Sequence, residues 1–188
     1  MQNKLIYPML SSSDKILRPI NYPADVCGSG YTIQDCNGYR LMIINALGNM
    51  FIEPQLDNPT PYIERALKRE EGKYDFAILD VHAEATGEKG IIARYFDGKI
   101  HIIFGTHTHV QTADERILPK GSAFITDIGM CGVKESILGI DPDSAINKYV
   151  THLPSRFCQA DGELEAQGVI FDLDESAGRV RKIERVRF

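Results

Sequence analysis

"YDFAILDVHAEATGEKGIIARYFDGKIHIIFG", residues 74–105, carries the pattern that decides the fold. Two apolar runs, "YDFAILDVH" and "IHIIFG", have strand length and the residue types that suit a buried pleated surface. Between them "GEKGIIARYFDGK" reads as a short helix with a glycine near its end. Working outward, "NPTPYIERALKREEGK" (58–73) has Ile63, Ala66 and Leu67 at helical spacing, with Pro61 tolerated in the first turn. "GYTIQDCNGYRLMIINAL" (30–47) reads as a hairpin turning at Asn37-Gly38, and its second strand, "LMIIN", is apolar enough for burial on both faces. "SAFITDIG" (122–129) is a further strand, and "DPDSAINKYVTHL" (141–153) a helix capped by Asp141 with Pro142 first. "GVIFDLDESAGRVRKIERVRF" (168–188) predicts two strands joined through a turn at 175–178, with one face wet. Strands alternating with helices between two terminal hairpins predict a layered α/β protein with mixed sheets.

Bulk properties narrow the function classes. The 188 residues suit one domain, taken as 1–188, with 43% hydrophobic and 25% charged residues, which are globular values. No apolar run nears the roughly 18 residues of a membrane span, and the N-terminus lacks the pattern of a signal peptide. A net charge of −5 and the lack of an aromatic-basic platform argue against stable nucleic-acid binding. Cys27, Cys36, Cys131 and Cys158 form no C-x-x-C pair, so free thiols in a reducing cytoplasm are the expected state. There is no G-x-S-x-G elbow and no P-loop.

The chemistry concentrates at strand ends. His82 closes "FAILDVH", and His107 and His109 follow "IHIIFG". Ligands in α/β sheets bind beyond the carboxyl ends of strands. Residues at i and i+2 of an extended segment point the same way, so His107 and His109 can reach one centre, and imidazole suits iron, zinc, nickel and copper. A single strand histidine is as readily a core residue; three at equivalent ends read as a metal site. His101 and His152 lack that placement and read as structural or surface residues. Asp80, two residues before His82, reads either as a carboxylate orienting a histidine or as a capping or salt-bridging group, the second being favoured. The loop after Asp127 offers backbone N–H groups for a phosphate or simply turns the chain. Asp114 and Arg116 read as an internal brace.

"LRPINYP", "GYRLMIINALGNMFIEPQLDNP", "DVHAEATGEK", "GTHTHVQTADERILPKGSAFITDIGMCG" and "LPSRF", in that order and spacing, resemble the YmdB-like calcineurin-type metallophosphoesterases from about Leu17 to the C-terminus. The resemblance implies a metallophosphatase-like layered sandwich of mixed sheets flanked by helices. It also implies two metal ions, iron first with manganese or zinc as alternatives, and hydrolysis of phosphodiesters, 2′,3′-cyclic nucleotides among them, by a metal-bound hydroxide. His82 and His107 would bind one ion and His109 the other. The family's early metal-binding Asp, its bridging Glu and its "GNH" segment, whose His is the general acid, have no counterpart in this sequence. The chain therefore reads as an N-terminally truncated member in which no residue is expected as catalytic acid. Two close cations need anionic ligands to offset their repulsion, and three neutral imidazoles supply none. Two function classes follow. One is a metal-dependent phosphodiesterase for a small phosphodiester or cyclic nucleotide, completed by a homo-oligomer or a complementing N-terminal chain. The other is a catalytically inactive fragment or an assembly or regulatory subunit with residual metal binding.

Overall fold

The computed structural model describes residues 4–174, 176 and 178–188. In chain order the elements are α1 (Tyr7–Ser12), β1 (Tyr31–Cys36), β2 (Tyr39–Leu47), α2 (Thr60–Arg69), β3 (Phe76–His82), α3 (Thr86–Tyr95) and β4 (Ile102–Thr106). They continue with β5 (Arg116–Ile117), β6 (Ala123–Ile125), β7 (Cys131–Val133), α4 (Pro142–Thr151), β8 (Leu164–Asp174) and β9 (Arg179–Arg187). A six-stranded sheet has the order β1-β2-β3-β4-β6-β5, and β7-β8-β9 form a second sheet. Strands β2, β3, β4 and β6 run parallel, while β1 and β5 join antiparallel at the edges, so the large sheet is mixed as expected.

Side-chain alternation builds the layers. One face of the large sheet presents Met42, Ile44, Ala77, Leu79, Val81, Ile103 and Phe124, which cluster with Ile63 and Ala66 of α2 and Ile92 and Ala93 of α3. Phe124, at 1% exposure, contributes about 1.5–3 kcal/mol by its burial. The opposite face presents Ile78, Ile102, Phe104 and Ala123 to Phe171, Leu173, Val180 and Ile183 of the β8–β9 hairpin. The result is helices, mixed sheet and small antiparallel sheet in three layers, the metallophosphatase-like sandwich expected from the motifs.

Local chemistry explains the elements that were legible. The β1–β2 hairpin closes with Cys36 opposite Tyr39, and Asn37 (φ 55°) and Gly38 (φ 88°) both take the left-handed conformation its two-residue turn demands. Asp141 caps α4 by accepting a hydrogen bond from the Ser144 amide at 2.8 Å. The β8–β9 hairpin forms as expected, although Glu175 and Ala177 of its turn lie outside the described residues. Strand β2 departs from expectation. Met42 and Ile44 are buried on the helix side, but Leu41, Ile43 and Asn45 are only half-buried, because the hairpin layer packs over β3, β4 and β6. Among the described residues no helix is long and apolar enough to cross a membrane.

Candidate functional site

Parallel register brings one polar row together. Asn45 of β2 lies opposite Asp80 of β3, and His82 lies opposite Thr106 of β4. Asp80 and His82 continue the row begun by Ile78, at the carboxyl ends of the strands, where ligands of α/β sheets bind. Asn45 Nδ2 donates to Asp80 Oδ2 at 2.8 Å, and Thr106 Oγ1 donates to Asp80 Oδ1 at 2.9 Å. Thr106 Oγ1 is also 3.0 Å from His82 Nδ1. The threonine's single proton is committed to Asp80, so the ring N–H of His82 sits on Nδ1 and donates to the hydroxyl. That leaves a lone pair on His82 Nε2, which faces His107 Nδ1 at 3.2 Å. The two rings meet edge to face with centroids 4.9 Å apart. His107 Nε2 lies 2.8 Å from Glu84 Oε2.

Burial raises the Asp80 carboxyl above the usual range, against the opposing hydrogen bonds from Thr106 and Asn45. Burial, followed by the neighbouring His107, lowers His82 and favours the neutral ring. Asp80 thus acts on a histidine through Thr106, the role that its sequence context favours less. The bland expectations for other residues hold. His101 Nδ1 accepts the Ala77 amide at 3.0 Å beside Phe76, and His152 ends α4 with φ 55°. Arg116 Nη1 pairs with Asp114 Oδ2 at 3.4 Å.

His107 and His109 do not share a direction. Strand β4 ends at Thr106, and the two histidines have φ of 118° and 62°, so extended alternation does not apply to them. Such backbone costs about 1–3 kcal/mol at a non-glycine residue. His109 is exposed, and its Nδ1 donates to the Leu138 carbonyl at 3.3 Å. The loop after Asp127 turns the chain instead of opening to phosphate, because the Ile128, Gly129 and Met130 amides donate to the Gly105 carbonyl, Asp127 Oδ1 and Gln167 Oε1 respectively.

The spacing of His82 and His107 would let both reach one metal ion. Two nitrogens 3.2 Å apart match neighbouring ligands that each lie about 2.0–2.1 Å from one ion. A hydrogen-bonded carboxylate behind the ligating ring is a common support for such ligands. His109 is not part of that pair, and among the described residues no group of three or more His, Cys, Asp and Glu is arranged to hold an ion. Sequence reading missed Asn45, Thr106 and Lys89 and gave the neighbouring acid Glu84 no role. Thr106 stands inside "GTHTH", but Asn45 becomes visible only through strand pairing.

The chain is 40% identical over 183 residues to the 2′,3′-cyclic-nucleotide 2′-phosphodiesterase of Bacillus subtilis (strain 168), a match covering 97% of this chain and 69% of that protein. It superposes on a hypothetical protein from Thermus thermophilus with a TM-score of 0.90 at 35% identity, covering 99% of this chain and 71% of that one. A novel phosphatase of Mycoplasma pneumoniae matches with a TM-score of 0.89 at 33% identity, covering 100% of this chain and 68% of that one. With the family model for YmdB-like proteins matching residues 1–186, nearly from end to end, the chain belongs to the YmdB-like protein family.

Proposed function

We propose that this chain supplies the histidine part of a metal-dependent phosphodiester-hydrolysing centre. Its substrates are 2′,3′-cyclic nucleotides or related small phosphodiesters. The observation that carries the reading is the His82–His107 pair, with its nitrogens 3.2 Å apart at the carboxyl ends of β3 and β4. The relative named as a cyclic-nucleotide phosphodiesterase supports the substrate class. An ion held there, iron first with manganese or zinc as alternatives, supplies Lewis-acid polarisation and charge neutralisation at the phosphoryl group. The chain's own residues do the positioning. Asp80 and Asn45 fix Thr106, Thr106 fixes the His82 tautomer, and His82 presents its Nε2 lone pair beside His107. On this reading residues 1–188 act as one domain in the cytoplasm, His109 serves a second ion, and anionic ligands come from a second copy or a complementing chain.

The second reading is a non-catalytic metal-binding, assembly or regulatory subunit. It is favoured by the convergence of only two imidazoles. Hydrolysis of 2′,3′-cyclic AMP and bis(p-nitrophenyl) phosphate, measured with iron or manganese present alongside bound-metal content, separates the two. The first reading expects metal-dependent turnover that falls by about 100-fold or more in His107→Ala, together with bound metal. Turnover by His107→Ala equal to that of the unaltered chain would sink it. Metal bound at His82 and His107 with no turnover, both alone and with a complementing chain supplied, would favour the second reading.

A further inference from the structure

Beneath the histidine loop lies a charged pair that the proposed reaction does not use. Lys89 of α3 and Asp127, just beyond β6, are both 0% exposed, with Lys89 Nζ 3.1 Å from Asp127 Oδ2. A buried ion pair is seldom more stabilising than apolar side chains of the same volume, so stability alone does not explain it. The other contacts of the carboxylate are more informative. Asp127 Oδ2 also accepts the Thr108 amide at 2.9 Å, and Oδ1 accepts the Gly129 amide at 3.0 Å. Thr108 stands between His107 and His109, the two non-glycine residues at φ 118° and 62°. The backbone of Asp127 is tied down in turn, since its carbonyl accepts the Thr112 amide at 3.1 Å and its amide donates to Thr112 Oγ1 at 3.0 Å.

The first residue of "GTHTH" belongs to the same arrangement. A Cβ at Gly105 would sit 2.7 Å from Lys89 Cδ and 1.8 Å from the Thr126 carbonyl oxygen. Glycine there lets the lysine stem pass under β4 to reach Asp127, and lets the 126–127 backbone approach.

We propose that Lys89 and Asp127 are positioning residues for the histidine site. The buried ammonium orients the Asp127 carboxylate, the carboxylate holds the Thr108 amide, and that amide fixes the left-handed backbone that turns His107 onto His82. Neither residue touches the place where a ligand would sit, and both act through the loop. The functional meaning of this clamp rests on the hydrolase reading, but its geometry does not.

The test uses the full chain and no turnover. Amide hydrogen exchange of the unaltered protein comes first. The Thr108 and Gly129 amides lie outside any strand, yet they are expected to be protected within about tenfold of the β4 amides. Exchange of Thr108 near the rate of an unstructured peptide overturns the proposal without any variant. The second arm is Lys89→Met/Asp127→Leu, which removes both charges and both acceptors while keeping the interior filled. In the folded variant, protection of Thr108 is expected to fall about 30-fold or more, the loss of one charge-assisted hydrogen bond. The ring-to-ring contact between His82 and His107, followed by imidazole NMR, is expected to disappear while the methyl signals of Leu79 and Ile103 stay in place. A folded variant that keeps the His82–His107 contact shows that the pair only fills the core, and refutes the positioning role. Failure of the hydrolase reading would leave both results standing, because neither depends on catalysis.

Discussion

Replacing Thr106 with valine tests the hydrogen-bond relay with little change of shape. The substitution swaps one hydroxyl for a methyl, so no cavity opens and β propensity is kept. What is lost are two hydrogen bonds, to Asp80 Oδ1 at 2.9 Å and to His82 Nδ1 at 3.0 Å. A bond to a buried carboxylate is worth about 1.5–3 kcal/mol, and Asp80 keeps only the Asn45 donor. The stranded His82 N–H adds about 1 kcal/mol, at the low end because the ring is half-buried and water can reach it. The expected loss is about 2.5–4 kcal/mol, a large share of an ordinary domain's stability of about 5–15 kcal/mol. Urea denaturation of the purified chain at pH 7 measures it, with an unchanged slope showing that the denatured state is not altered. Imidazole 15N shifts supply the second readout, because without the hydroxyl the His82 proton is no longer confined to Nδ1. A loss below about 0.5 kcal/mol together with an unchanged His82 tautomer would refute the relay.

Two further perturbations probe separate parts of the molecule. Arg40 donates to Asp75 from Nη2 at 2.6 Å, from Nε at 3.2 Å and from its backbone amide at 2.8 Å, and these bonds, the side-chain ones foremost, hold the Asp75 carboxyl at about 2. In Arg40→Ala an NMR titration should show Asp75 rising toward 3.8 while the backbone donor remains. Because its folded value lies below the unfolded one, the stabilisation is present above about pH 4 and is lost as pH falls toward 2, so the variant's stability should vary less across that window. An unmoved Asp75 would rule out Arg40 as the cause. Gly38→Ala places a Cβ where nothing lies within 4 Å, yet at φ 88°. Thermal unfolding should therefore show a backbone penalty alone, about 1 kcal/mol, and a larger loss would mean the hairpin register also changes.

Patterns that live within one segment were legible. The Asn37-Gly38 turn, the helical period of α2, the Asp141 cap and the apolar cores of β3 and β4 each follow from neighbours a few residues apart. Helix α1 and the short strands β5 and β7 were not legible, because two to six residues are too few to display a period. The half-exposure of one face of β2 also escaped, since it depends on how far a hairpin some 130 residues away extends across the sheet.

The same division runs through the site. Sequence by itself determined that His82, His107 and His109 follow strand ends, because residue type and strand length are written locally. Tertiary structure decided which of them meet. A shared direction for His107 and His109 at i and i+2 requires extended backbone, but the chain leaves the strand at Thr106 and both residues turn left-handed. Hence His107 stands on His82, 25 residues away, while His109 turns to Leu138. Asn45, Thr106, Lys89 and Asp127 enter the site only through parallel pairing and burial. Pairing between distant segments is set by the packing of whole faces, and no local spacing encodes it.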